Sequence, residues 1–265
     1  VIGAFALSDL MKIVAFIPAR YDSTRFPGKP LALIAGKPMI QQVYERAKKW
    51  QDPEFAEVFV ATDDERIAEC VDGFGGKAVM TGSDHASGTD RIAEAASRMD
   101  LQRDDLIINV QGDQPILDPR CFSHLILPLR EYEDVLMSTL VFRIGDERGD
   151  NNPRNPKHVK TVFDKDGYAL FFSRSVIPHY RDSGSDRVYY KHLGFYAYRV
   201  DFLKTFARLP LGTLEDAEKL EQLRTVEHGY KIKVVQSPYD SFEVDTPDDI
   251  PIAERILAQG SSKTR

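Results

Sequence analysis

The segment Ile17-Pro18-Ala19-Arg20-Tyr21-Asp22-Ser23-Thr24-Arg25-Phe26-Pro27-Gly28-Lys29-Pro30 places three cations, two hydroxyls and a glycine within ten residues. Arg20 and Arg25 offer forked donors and Lys29 a point charge, a combination able to wrap a polyphosphate. A solvated basic loop has the same composition, so placement must decide. The loop follows the apolar run Lys12 to Pro18. Ligands of open α/β sheets bind beyond the carboxyl ends of strands, which favours the phosphate reading.

Two carboxylates stand in comparable places. Asp113 follows the apolar run Asp105 to Gln111 within NVQGDQP, and Asp245 lies in FEVDTPDD at another strand-like end before a helix. Hard divalent cations take such oxygens. Gly112 reads as a point of close backbone approach to a ligand. The bland alternative is a turn for Asp113 and an acidic helix start after Asp245. That alternative describes Thr246, Asp248 and Asp249 better than Asp245.

These residues need a scaffold, and the hydrophobic pattern supplies one. Strand-like runs at Lys12 to Pro18, Glu57 to Thr62, Lys77 to Thr81 and Asp105 to Gln111 alternate with helical patterns at Met39 to Trp50, Asp64 to Phe74 and Thr89 to Met99. Such a βαβ series predicts a doubly wound, mainly parallel α/β sheet. After about residue 135 strands dominate: Leu136 to Ile144, His158 to Phe163, Tyr168 to Ser173 and His192 to Arg199. This predicts antiparallel strands, read as a strand-rich insertion near 151–200 of a single domain spanning 11–265. Helices are expected again at Asp201 to Ala207, Leu214 to Glu227 and Pro247 to Leu257, with a strand at Lys231 to Gln236. Met11 reads as a start and residues 1–10 as an N-terminal extension.

Composition narrows the function. The 265 residues are 42% hydrophobic and 29% charged, enough to bury a core. The net charge of −6 opposes nucleic acid as a partner. No apolar run reaches the roughly 18 residues of a membrane span, so no membrane insertion is expected. Cys70 and Cys121 are 51 positions apart without a neighbouring thiol, which fits a reducing cytoplasm. Gly73 to Ala78 matches the dinucleotide GxGxxA pattern, but in the wrong order, after a helix and before a strand, and reads as a helix stop. The chain lacks GxxxxGK[ST], GxSxG and HExxH, and its histidines have no metal-ligand spacing.

In order along Met11 to Leu257, PARYDSTRFPGKP, ATDDERIAE, TGSDHASGTDRIAE, NVQGDQP, NPKHVKTVFD, YALFFSRSVIP, KHLGFYAYR, DAEKLEQLR and VDTPDD resemble the 3-deoxy-manno-octulosonate (KDO) cytidylyltransferases. The resemblance implies a fold of nucleotide-diphospho-sugar-transferase type and a homodimer. It also implies cytidylyl transfer from CTP to the anomeric hydroxyl of KDO, releasing pyrophosphate, for lipopolysaccharide synthesis. It assigns Ala19, Arg20, Ser23, Arg25, Lys29, Ser87 and Arg91 to CTP. Asp113 and Asp245 become Mg²⁺ ligands, and Arg20, Arg25 and Lys29 share the catalytic role with them. Gln111, Arg174, His192, Tyr196, Glu221 and Gln222 become the sugar pocket.

The residues leave open that Thr89 to Arg91 simply start a helix. One long helix from Leu214 would set Glu218, Glu221 and Gln222 on a single face toward a cleft. Gln114, His179, Gly212-Thr213 and Ser241-Phe242-Glu243 depart from the usual KDO pattern. They resemble a subgroup that activates 8-amino-3,8-dideoxy-KDO, although the neutral Gln114 does not by itself explain selection of an amine. KDO is the first expectation and the aminosugar the alternative. A non-catalytic nucleotide-sugar sensor is the reading from another class, opposed by the presence of both aspartates.

Overall fold

The computed structural model describes residues 11–22, 26–145, 151–182 and 186–259. Ser23, Arg25 and the expected extension 1–10 lie outside these residues. The strands are β1 (Ile13–Ala19), β2 (Leu33–Ile34), β3 (Lys37–Pro38), β4 (Phe55–Thr62), β5 (Ala78–Met80), β6 (Leu106–Asn109), β7 (Met137–Ile144), β8 (Lys160–Phe163), β9 (Ala169–Ser173), β10 (Tyr189–Arg199) and β11 (Lys233–Gln236). The helices are α1 (Met39–Ala47), α2 (Glu65–Gly73), α3 (Gly88–Ser97), α4 (Cys121–Glu131), α5 (Val200–Phe206), α6 (Thr213–Glu218), α7 (Gln222–Glu227) and α8 (Ile250–Ala258).

Among the described residues one nine-stranded sheet runs β11-β7-β10-β6-β1-β4-β5, with β8 and β9 attached beside β10. Along that path β1 is parallel to β4 and β6, β4 to β5 and β11 to β7, while β10 is antiparallel to both its neighbours. The mainly parallel α/β expectation therefore holds, with β10 as the reversed strand. From β1 the chain builds outward through β4 and β5 on one side and through β6 on the other, so a crevice opens beyond the carboxyl ends of β1 and β6.

Strand alternation sends Ile13, Ala15 and Ile17 into one buried layer, where they meet Ile40 and Val43 of α1 and Phe122 and Leu125 of α4. Val14 and Phe16 enter the opposite layer with Ile92 of α3 and Phe202 of α5. Each such side chain contributes about 1.5–3 kcal/mol by burial. An exposed pair such as Lys37–Glu45 adds at most about 1 kcal/mol. The two apolar layers therefore hold the sheet.

Four expectations change. The strand-rich stretch does not form a separate insertion up to residue 200. β8 and β9 make a hairpin at the sheet's margin, but β10 lies between β6 and β7 because its buried face completes both layers. The single helix from Leu214 to Glu227 is two helices, broken at Lys219, whose φ of 53° is left-handed. Glu218 is tethered to β9 by Ser173 Oγ (2.5 Å) and to Arg174 N (3.0 Å), which turns the chain aside there. Helix α4 was not expected, since Pro128 interrupts its pattern; the proline sits in the last turn, and the helix survives by burying Phe122, Leu125, Ile126 and Leu129. Gly112 is needed for a contact within the chain, as a Cβ there would come within 2.9 Å of the Pro18 carbonyl. The glycine stop after α2 forms as read, with Gly75 at φ +76° and Gly76 N–H bonding the Val71 carbonyl.

Candidate active site

A cavity of about 980 Å³ lies beyond the ends of the central strands. Gln111 and Asp113 reach it from the loop after β6, His192 and Tyr196 from β10, Arg174 from the end of β9, Glu221 and Gln222 from the turn into α7, and Asp245 from the segment before α8. The whole expected sugar set and both expected metal carboxylates therefore meet in one space, although residues 174 and 245 are far apart in sequence.

Asp113 and Asp245 converge on one cation. Lys29 Nζ lies 2.7 Å from Asp113 Oδ2 and 3.6 Å from Asp245 Oδ1. Lys29 opens the short helical turn Lys29–Leu31, which follows Gly28 at φ +70°. The backbone of Asp113 also accepts from Val244 N–H (2.9 Å), fixing the spacing of the two carboxylate segments. Two hard oxygens sharing one positive charge suit Mg²⁺, which takes one or two carboxylates and completes its shell with phosphate and water. No cluster of three or more potential ligating side chains occurs among the described residues, so that partial protein shell is the one the site offers.

The expected nucleotide residues divide. Ala19 is buried at the end of β1, opposite Thr62, and Arg20 follows it exposed. Ser87 caps α3: its Oγ accepts from Asp90 N (3.1 Å) and donates to Asp90 Oδ2 (2.8 Å). Arg91 is buried, donating to Thr81 Oγ1 (2.7 Å) and pairing with Asp63 (3.1 Å). Ser87 thus caps α3, and Arg91 lies in its first turn; neither is among the residues lining the cavity.

Several polar groups on the β10 side are buried. His192 Nε2 lies 2.9 Å from Thr139 Oγ1, and burial pushes the imidazole down to about 3, so the ring is neutral. Tyr196 packs between the rings of His192 and Tyr198, and burial raises its hydroxyl well above the usual range. Glu221 accepts from Thr89 Oγ1 (2.6 Å), which also receives a bond from Asn109 Nδ2 (3.2 Å); burial raises the Glu221 carboxyl. Gln222 is buried with its Nε2 donor unmatched. Lys160 gathers the rim by donating to the carbonyls of His158 (2.6 Å) and Arg174 (2.5 Å).

Sequence reasoning did not place Thr89, Asn109 or Lys191 at the site. Asn109 and Thr89 look like ordinary strand-end and cap residues until the fold stacks them on Glu221. Glu243 was noted only as a departure. It lines the cavity with its side chain partly open to solvent, and desolvation with the charges of Asp113 and Asp245 pushes its carboxyl up to about 7. Lys191 and Lys29 act on it in the opposite sense, more weakly.

The cytidylyltransferase family model matches residues 14–232. The chain belongs to this family. With it come the nucleotidyltransferases as enzyme class. The chain is 57% identical over 249 residues to the 8-amino-3,8-dideoxy-manno-octulosonate cytidylyltransferase of Shewanella halifaxensis (strain HAW-EB4), covering 94% of this chain and 99% of that protein. It is 55% identical over 247 residues to the 3-deoxy-manno-octulosonate cytidylyltransferase of Desulfatibacillum aliphaticivorans, at 93% and 99% coverage. Among solved structures, a CMP:2-keto-3-deoxy-manno-octonic acid synthetase complexed with CTP superposes with a TM-score of 0.84 at 43% identity, covering 94% of this chain and 99% of that one. A cytidylyltransferase from Leptospira borgpetersenii, at 16% identity, coverage of 96% and 90%, and a TM-score of 0.61, shares the fold.

Proposed function

We propose that this cytidylyltransferase moves the cytidylyl group of CTP onto the anomeric hydroxyl of a KDO-type sugar acid and releases pyrophosphate, with 8-amino-3,8-dideoxy-KDO as the favoured acceptor over KDO. The observation that carries the reaction is the meeting of Asp113, Asp245 and Lys29 with Gln111, Arg174, His192 and Tyr196 at one cavity. The preference for the aminosugar draws on the Shewanella relative, whose name specifies that acceptor. The relative named for KDO is nearly as similar, so the acceptor must be measured.

In-line attack of the sugar hydroxyl on the α-phosphorus needs no protein nucleophile, so positioning and charge neutralisation lower the barrier. Arg174 offers its guanidinium to the acid carboxylate of the sugar, while Gln111 and Gln222 present amides to hydroxyls. His192, held neutral, serves as a hydrogen-bonding wall and not as a proton acceptor near neutral pH. Arg20, Arg25 and Lys29 balance the triphosphate. Mg²⁺ held by Asp113 and Asp245 would neutralise charge on the α-phosphate and leaving pyrophosphate and acidify the attacking hydroxyl.

The test is pyrophosphate release with CTP and Mg²⁺, comparing kcat/KM for the two sugars side by side. Turnover with a higher value for the aminosugar is expected; a preference for KDO would reverse the acceptor assignment, and turnover with neither would favour a nucleotide-sugar sensor. The same reading includes a homodimer, a cytoplasmic location and a role in lipopolysaccharide synthesis. Light scattering, cell fractionation and the activated-sugar pool of a deletion strain check these in turn.

A further inference from the structure

The carboxylates lining the cavity differ in whether the protein satisfies them. Asp113 and Asp245 share Lys29. Asp118 pairs with Arg120 at 2.6 Å and Asp240 with Lys191 at 2.5 Å. Asp249 accepts the backbone N–H groups of Asp245 (2.9 Å) and Thr246 (2.8 Å), and Glu221 takes the Thr89 hydroxyl (2.6 Å). Glu243 stands apart: among the described residues its one hydrogen bond comes from Gln114 Nε2 to Oε1 at 3.1 Å, and no cation lies within ion-pair distance.

Gln114 is fully buried, and its Nε2 also donates to the Leu193 carbonyl at 2.7 Å. Two acceptors on one amide nitrogen set its orientation and thereby hold Glu243 Oε1 in place. The corner is kept open by Gly194 (φ +75°), where a Cβ would sit 3.4 Å from Gln114 Nε2 and 4.0 Å from Glu243 Oε1. A glutamate in place of Gln114 would bring a second carboxylate against the first and leave the Leu193 carbonyl without a donor. The neutral amide is therefore the side chain that can position a single negative charge here.

We infer that Glu243, oriented by Gln114, is the acceptor-specificity residue of this site, its remaining carboxylate oxygen taking the protonated primary amine of an aminosugar acid. The inference rests on the cytidylyl-transfer reading and deepens it. An ammonium carries three donors, no acceptor and a full charge, matching a carboxylate with open lone pairs. A hydroxyl at the same carbon offers one neutral donor, and charge-assisted bonds are about twice as strong as neutral ones.

The test compares wild type with Glu243→Gln, which keeps the shape and the bond from Gln114 while removing the charge, and with Glu243→Asp, which keeps the charge on a shorter arm. For each, kcat/KM is measured for the aminosugar and for KDO across a Mg²⁺ titration, with thermal unfolding as a check on folding. The ratio favouring the aminosugar should fall about ten- to a hundredfold in Glu243→Gln and recover in part in Glu243→Asp. A wild-type ratio in Glu243→Gln would overturn the assignment while leaving the transferase reading intact. Equal losses with both sugars, accompanied by a higher Mg²⁺ requirement, would overturn it by making Glu243 a metal ligand. Absence of turnover with either sugar in the wild type would overturn the transferase reading itself.

Discussion

On the β1 side Arg20 is exposed at a strand end and Lys29 bridges the two cavity aspartates. The β10 side offers His192 and Tyr196, held neutral by burial, the amide of Gln222, and Glu221, whose carboxyl burial raises. One side suits a ligand whose charge must be neutralised; the other suits a ligand recognised by the arrangement of its hydroxyls. A buried polar wall discriminates well, since a missing partner leaves a desolvated group unmatched. Charge on the opposite side lowers the barrier for whichever acceptor has been admitted.

The largest expected effect is on the charged side. Asp113→Asn should lower kcat by about 10²–10³-fold, comparable to removing one preorganised electrostatic stabiliser, with little change in thermal unfolding; full turnover in steady-state assays would remove Asp113 from the metal role. Arg91→Ala should instead cost stability, about 3–5 kcal/mol in urea unfolding, because it strands Asp63 and Thr81 in a buried network. A KM for CTP that rises while stability holds would return Arg91 to the nucleotide. Gly112→Ala should cost about 1–3 kcal/mol and displace the Asp113 loop, since its Cβ meets the Pro18 carbonyl. A crystal structure of that variant with an unmoved loop would contradict this.

The smallest effect concerns pH. Burial holds His192 at about 3 and His158 at about 4, both below their unfolded value near 6.5. Between those values the unfolded chain binds protons that the folded chain does not, so stability is full above about pH 6.5 and falls as pH drops. The slope is at most about 1.4 kcal/mol per pH unit for each histidine. His192→Gln should flatten the curve of unfolding free energy against pH; an unchanged slope would show that His192 does not supply it.

The β1 side was also the more legible half. Its strands alternate into two apolar layers, so hydrophobic period reveals the fold, and its charged residues cluster within one loop, so local composition alone singles out a candidate site. On the β10 side the chemistry is distributed. Thr89 meets Glu221 across 132 positions, and Gln114 meets Glu243 across 129. No local pattern encodes such pairs. Family resemblance located Glu221 and Gln222, but the idea that one helix aligned them with Glu218 failed because Lys219 turns left-handed and Glu218 faces β9. The acidic start at Thr246 was read correctly: Thr246 and Asp249 form a reciprocal cap, leaving Asp245 toward the cavity.

Strand β10 is bonded to β6 only from Tyr196 to Arg199, so its first half projects past the sheet's centre with β7 beside it and β8 touching it at Lys191. The projecting piece is a cantilever, bent at Gly194 and clamped along its side, with Tyr189, Lys191, His192 and Leu193 buried and paired to β7 up to His192. Only the positions of a clamped cantilever that face the open space can change without disturbing the clamp. Under the proposed division of substrates, acceptor choice can therefore drift through the cavity-facing residues of this piece and their neighbours at 114 and 243 while the β1 side stays as it was.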